Sequence, residues 1–182
     1  MAKKGKKRMG LVDMILVIVG AVGAVLSFVA LAFSFVTVNV TNPLTNKVTG
    51  TDKSLSDWMS DLDSMNEANA AANKINADDV FNVGGYNLAR VFLFVTLVLV
   101  AITAILLLVK FLMNNKLMNM LTMVAAALTI VSALVFMIAM LVGNAPFATE
   151  LSSRAAGLGV WFVTIGAIIA GAMGIATSRQ LK

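Results

Sequence analysis

The sequence has no cysteine and no histidine. The first absence excludes disulfides, thiolate metal sites and cysteine nucleophiles together. The second removes the commonest imidazole metal ligand and the commonest general base, so hydrolytic or redox chemistry would have to rest on carboxylates. Charge is scarce as well: Asp, Glu, Lys and Arg make up 13% of the 182 residues, against about 25% in an ordinary water-soluble domain. With 59% apolar residues and a mean hydropathy of +0.91, the chain is poorly equipped to face water on all sides.

What is present is apolar sequence gathered into four long runs, over 11–36, 88–113, 117–143 and 157–177. Roughly 20 apolar residues span the hydrocarbon of a bilayer, and each run reaches that length. The first follows the basic block Lys3, Lys4, Lys6, Lys7 and Arg8, as a signal peptide would. A signal peptide has an apolar core of only about 7–15 residues and a small-residue cleavage site, so this run reads as a retained helix. Within the second, Arg90 and Lys110 bracket the uncharged stretch from Val91 to Val109, and a short turn at 114–116 makes the second and third helices antiparallel neighbours.

Cytoplasmic segments of membrane proteins carry the excess of Lys and Arg. The basic terminus 1–10, Lys110 with Lys116, and Arg179 with Lys182 in the tail 178–182 all fall on one side of a four-pass chain. The other side receives the acidic segment 37–87 and the short loop 144–156. Both termini are therefore expected in the cytoplasm. The net charge of +5 lies mostly in these cytoplasmic segments and does not call for nucleic acid. A disulfide-free outer loop suits the plasma membrane of a bacterium.

Segment 37–87 is too long for a plain connector. Val36, Val38 and Val40 alternate with polar residues, which predicts a strand leaving the membrane. Asn42-Pro43 ends it, and Lys47-Val48-Thr49 before Gly50 reads as the returning strand. A hairpin alone is marginal in water, and Val80 to Val83 is the nearest candidate for a third strand. Ser54 and Asp57 have capping-box spacing, and Leu55, Trp58, Met59, Leu62 and Met65 then recur at helical intervals. The fold class expected is an all-α membrane protein, a four-transmembrane-helix bundle with a small extracellular β/α loop domain between helices 1 and 2.

Several residues stand out as sites. Asp13, the one charge in the first run, lies about one turn inside its boundary, where an ion pair with Lys110 or Lys116 is the simplest reading and a proton or ion pathway the alternative. Arg90 can anchor to lipid phosphate or pair with the acidic loop. Trp58 can be the centre of the loop's core or an interface anchor. Gly166, Ala170 and Gly174 repeat every four residues in the last run, while Gly20, Gly23, Ala24 and Ser27 form a similar face in the first. Small residues at this spacing let helices approach closely in lipid, so the two faces are expected to pack together, with homo-oligomerisation as the alternative. The 12 Met residues lie mostly in apolar runs and read as filler.

Four helices, internal ends, a long first outer loop with strands and a short second loop resemble the layout of the claudin and peripheral-myelin-protein superfamily of tetraspan proteins. Leu88-Ala89-Arg90 at the mouth of the second helix and Gly157-Leu158-Gly159-Val160-Trp161 entering the fourth resemble the pattern there. The resemblance implies a topology and a sheet. It implies no paracellular-pore residues, because no cysteine pair follows Trp58.

No catalytic, cofactor-binding or metal-binding constellation is visible. The function expected is non-enzymatic, with the outer loop binding a protein partner or a second copy in adhesion, scaffolding or accessory-subunit work. A small channel or transporter subunit is the alternative, and it would need the hydroxyls of Thr96, Thr103, Thr129, Ser132 and Thr164 to line a path. An enzyme using Asp61 and Asp63, or Asp78 and Asp79, is a third reading.

Overall fold

The structure, a computed structural model, describes residues 10–75, 78, 81–113, 115–145 and 152–179. The basic block from Lys3 to Arg8 and the residues Asp79, Val80, Asn114, Glu150 and Lys182 lie outside the described residues. Helix α1, Leu11–Val29, starts at Gly10, whose backbone N–H donates to Asp13 Oδ2 at 3.3 Å. It tightens into a 3-10 turn over Ala30–Ala32 and then stops. The apolar run continues to Val36, but the helix does not follow it. Sheet partners take the backbone of residues 34 and 35: Phe35 N–H donates to the Lys53 carbonyl at 2.8 Å, Gly157 N–H to the Phe35 carbonyl at 2.9 Å and Gly159 N–H to the Ser34 carbonyl at 2.8 Å.

Strands β1, Val36–Thr41, and β2, Val48–Lys53, form an antiparallel hairpin in which Val36 faces Lys53 and Thr41 faces Val48. Its turn is built by Asn42, whose side chain accepts from Leu44 N–H at 2.9 Å and whose carbonyl accepts from Asn46 N–H at 2.8 Å. Asn46 takes the left-handed backbone conformation, φ 52°, which asparagine tolerates better than most residues. Helix α2, Leu55–Lys74, opens on the expected capping box: Ser54 Oγ accepts from Asp57 N–H and Asp57 Oδ2 from Ser54 N–H, both at 3.2 Å. These Ser54 contacts also hold the Asp57 carboxyl below its usual pKa.

The third strand is not where the sequence suggested. It is β3, Ser152–Ala156, which comes from the connection before the last helix and pairs antiparallel with β1, so that the sheet order is β2-β1-β3. Of the expected strand, residues 81–83 are not extended into a ladder. The reason is local. Asn69 on α2 donates from Nδ2 to the Phe81 carbonyl at 2.7 Å and accepts the Phe81 N–H on Oδ1 at 2.9 Å. One carboxamide thus occupies the backbone pair that a neighbouring strand would need.

Helices α3, Gly84–Leu112, α4, Lys116–Asn144, and α5, Leu158–Arg179, complete the bundle. Each of the four long helices, with α1 taken through its terminal turn to Ala32, is long and apolar enough to cross a membrane. At about 1.5 Å per residue α3 and α4 each exceed 40 Å, longer than hydrocarbon about 30 Å thick. Principal packing runs α1 on α5, α5 on α4 and α4 on α3, and α1 also touches α3. The outward faces are apolar and exposed, as at Val22, Val98, Val131 and Ile138. Such a surface suits lipid.

One core joins the sheet to the bundle. Phe35, Val36, Trp58 and Leu62 from the sheet, its lead-in and α2 form a single buried cluster with Tyr86, Leu93, Phe136, Met140 and Val163 from the long helices. The sheet and α2 are therefore an extension of the bundle and not a separately cored unit.

Candidate functional site

Trp58 lies at the centre of this junction, 2% exposed. Its ring stacks on Phe35 with centroids 6.2 Å apart and meets the edge or face of Tyr86 at 5.9 Å and 80°. Of the two readings open for Trp58, the structure favours a core residue, inside the core that the loop shares with the long helices and away from the surface. Its indole N–H finds no acceptor among the described residues.

A ladder of polar contacts runs along one side of α2 and fastens it to α3. Asp63 pairs with Arg90, Asn66 exchanges two amide hydrogen bonds with Asn87 at 2.9 and 3.0 Å, and Asn69 brackets the Phe81 backbone. The rungs fall at three-residue intervals, one helical turn apart. Lys53 adds an ion pair to Asp61 at 2.8 Å, joining β2 to the same helix. Both ion pairs are partly exposed, so each contributes at most about 1 kcal/mol. Arg90 thus ties the start of α3 to α2 through Asp63. The asparagine rungs were not singled out from sequence, where Asn66 to Asn76 reads only as an Ala- and Asn-rich stretch; the three-residue spacing of Asp63, Asn66 and Asn69 was the available signal.

Asp13 behaves differently from expectation. It is buried and makes no direct ion pair with Lys110 or Lys116. Instead its Oδ2 caps α1 through Gly10, while Oδ1 has no hydrogen-bond partner among the described residues. Lys110 is buried too, with Nζ donating to Ser178 Oγ at 3.3 Å. The lysine thus engages the end of α5.

The small residues of α5 divide between two neighbours. A Cβ on Gly166 would lie 2.5 Å from the Gly23 carbonyl oxygen and 2.5 Å from Ser27 Oγ, and one on Gly23 would lie 2.7 Å from the Gly166 carbonyl. Ala170 and Ala24 are buried in the same interior, and a Cβ on Gly20 would meet Leu107 and Met173. Ser27 Oγ donates across the interface to the Val163 carbonyl at 3.3 Å. Gly174 departs from the row: its missing Cβ points at Ala126 of α4, 2.7 Å away, and the missing Cβ of Gly171 at Ile130 and Ala126. A straight helix advances about 100° per residue, so a four-residue repeat drifts round its axis and reaches a second neighbour within two turns.

The buried hydroxyls are mostly engaged. Thr129 donates to the Ala125 carbonyl at 2.8 Å, Thr164 to the Val160 carbonyl at 2.9 Å, and Thr103 shares a 2.9 Å hydrogen bond with Thr129. Val100, Ala133, Ala167 and Ala170 close the interior around them.

The surface that results has a definite character. β2 has β1 on one side and, among the described residues, no strand on the other. Five of its six residues are exposed. No protein-family model matches the chain, and no curated protein matches it either.

Proposed function

We propose that this chain is a non-enzymatic four-pass membrane protein of claudin-like layout, whose outer sheet and helix α2 form a rigid platform for another protein or a second copy. β2 is the observation that carries this reading. An exposed edge strand offers unpaired backbone N–H and C=O groups to a partner strand, and the two charges of β2, Asp52 and Lys53, sit at its end and are engaged by Thr37 and Asp61. Here the edge is held on a bundle by the Trp58 core and the α2 ladder, so a partner strand would meet a prearranged register. The charge pattern supports a platform outside with both termini in the cytoplasm, and the disulfide-free loop suits the plasma membrane of a bacterium. A channel is the weaker reading, because Thr129 and Thr164 give their hydroxyls to their own helices.

The absence of native cysteine makes one experiment sufficient. Thr51→Cys, on β2, should react with an impermeant maleimide on intact cells and should crosslink to a partner or to a second copy. Ser178→Cys should react only after permeabilisation. Thr51→Cys that is labelled yet never crosslinked would remove the platform, and reversed labelling would remove the orientation.

A further inference from the structure

A cleft of about 580 Å³ opens between the second half of α2 and the start of α3. Asparagine supplies five of its nine described lining residues, among them Asn66 and Asn69 on α2, Asn87 on α3 and Asn82 on the approach to α3. Three of these carboxamides are only half used. Asn66 and Asn87 each give the other one N–H, while Asn69 gives one N–H to the Phe81 carbonyl and takes one from the Phe81 amide. A carboxamide has two N–H donors and an oxygen with two lone pairs, so each of the three retains one donor and one acceptor site. Asn69 is only 7% exposed, so its remaining valence faces little but the cleft. Asn82 is exposed and makes no hydrogen bond among the described residues.

We propose that this cleft binds an uncharged saccharide, held by the unspent donors and acceptors of Asn66, Asn69, Asn82 and Asn87. The lining decides the class of ligand. None of the described lining residues is ionisable, so nothing there neutralises a phosphate, a carboxylate or a cation. An apolar ligand would displace water from the carboxamides and leave them unpaired. A peptide would need pockets for its alternate side chains, and among the described lining only Ala70, Phe81 and Val83 offer apolar side chains. A sugar hydroxyl donates and accepts at once, which matches a carboxamide that keeps one N–H and one lone pair. Phe81, partly buried, supplies an aromatic surface for the C–H face of a sugar ring. From Asn66 to Asn73 the helix rises about 10 Å, which gives room for a short chain of rings. No residue of β2 is among the described lining, so the site stands apart from whatever binds that strand.

Saturation-transfer NMR on the full chain in phosphatidylcholine nanodiscs tests the assignment, with lactose, maltotriose and chitotriose as the saccharide probes and an alternating serine and alanine pentapeptide as the comparison arm. Glycoside detergents are removed beforehand, because a maltoside headgroup would compete for the cleft. Ala70→Trp fills the cleft from an exposed position of α2, and Ala71→Trp puts the same ring on the same helix outside the described lining. Asn82→Ala removes a carboxamide on which no described hydrogen bond depends. We expect saturation transfer to the ring protons of at least one saccharide on the wild type, reduced by about fivefold or more in Ala70→Trp and Asn82→Ala and unchanged in Ala71→Trp. No transfer to any of the three saccharides would overturn the site, as would a signal that survives in Ala70→Trp or falls equally in Ala71→Trp. Transfer to the pentapeptide alone would give the cleft to a peptide and refute the saccharide. Should Ala70→Trp fail to fold, Asn82→Ala decides, and an undiminished signal there refutes the proposal.

Discussion

Adding a single methyl group at Gly166 should force the first and last helices apart. The new Cβ would sit 2.5 Å from the Gly23 carbonyl oxygen, 2.5 Å from Ser27 Oγ and 2.8 Å from Ser27 N. Two of these three atoms are backbone, so rotamer changes cannot relieve the clash, and α1 and α5 must separate by about 0.5 Å. Overpacking of this kind costs about 1–3 kcal/mol. Alanine recovers about 1 kcal/mol through helix propensity, leaving, from the upper half of that range, a net loss of about 1–2 kcal/mol. In a chain of this size each kcal/mol moves the melting temperature by about 2–4 °C, so Gly166→Ala should melt about 2–8 °C below the wild type. Gly84→Ala is the control, because its Cβ would meet only Asn82 Oδ1, at 3.9 Å, at the first turn of α3. There the helix-propensity gain stands unopposed, and the melting temperature should hold or rise. The assay is thermal unfolding in one detergent, followed by intrinsic tryptophan fluorescence. If both variants shift alike, the close approach of α1 and α5 is not what limits stability. Ser27→Ala should rescue Gly166→Ala only in part, since it removes the hydroxyl contact and leaves the two backbone contacts.

Trp58→Ala should cost about 3–5 kcal/mol, since a fully buried ring is lost from the junction of sheet, α2 and α3. Hydrogen exchange should quicken in β1 and β2 as well as in α2; unchanged exchange in the strands would mean that Trp58 does not join the two. Asn69→Leu should cost about 1–3 kcal/mol because both polar groups of the Phe81 backbone lose their partner, whereas Arg90→Gln, which breaks a half-exposed ion pair, should cost under about 1 kcal/mol. Exchange at the Phe81 amide together with chemical unfolding separates the two, and equal losses would refute the ranking.

The sequence by itself determined the features that depend on neighbours a few residues apart. Apolar runs of sufficient length made the four long helices legible, with the end of the first displaced from 36 to Ala32 and the start of the second from 88 to Gly84. Alternating valines with Asn42-Pro43 made the hairpin legible, and Ser54 with Asp57 marked the start of α2. Each of these is a local preference, paid out within one turn or one ladder pair. The tertiary structure alone decided the rest. Ser152–Ala156 has no β-branched residue and no alternating pattern, and it is a strand because β1 has an open edge beside it. Val80 to Val83 looked like the better strand, but the Phe81 backbone was already taken by Asn69, 12 residues away. The division of α5 between Gly166 facing α1 and Gly174 facing α4, the inward place of Trp58, and the pairing of Arg90 with Asp63 follow the same rule. A composition pattern states which residues can be buried or paired, but the partner is chosen by which groups the fold brings within a few ångströms, and those groups lie tens of residues apart in the chain.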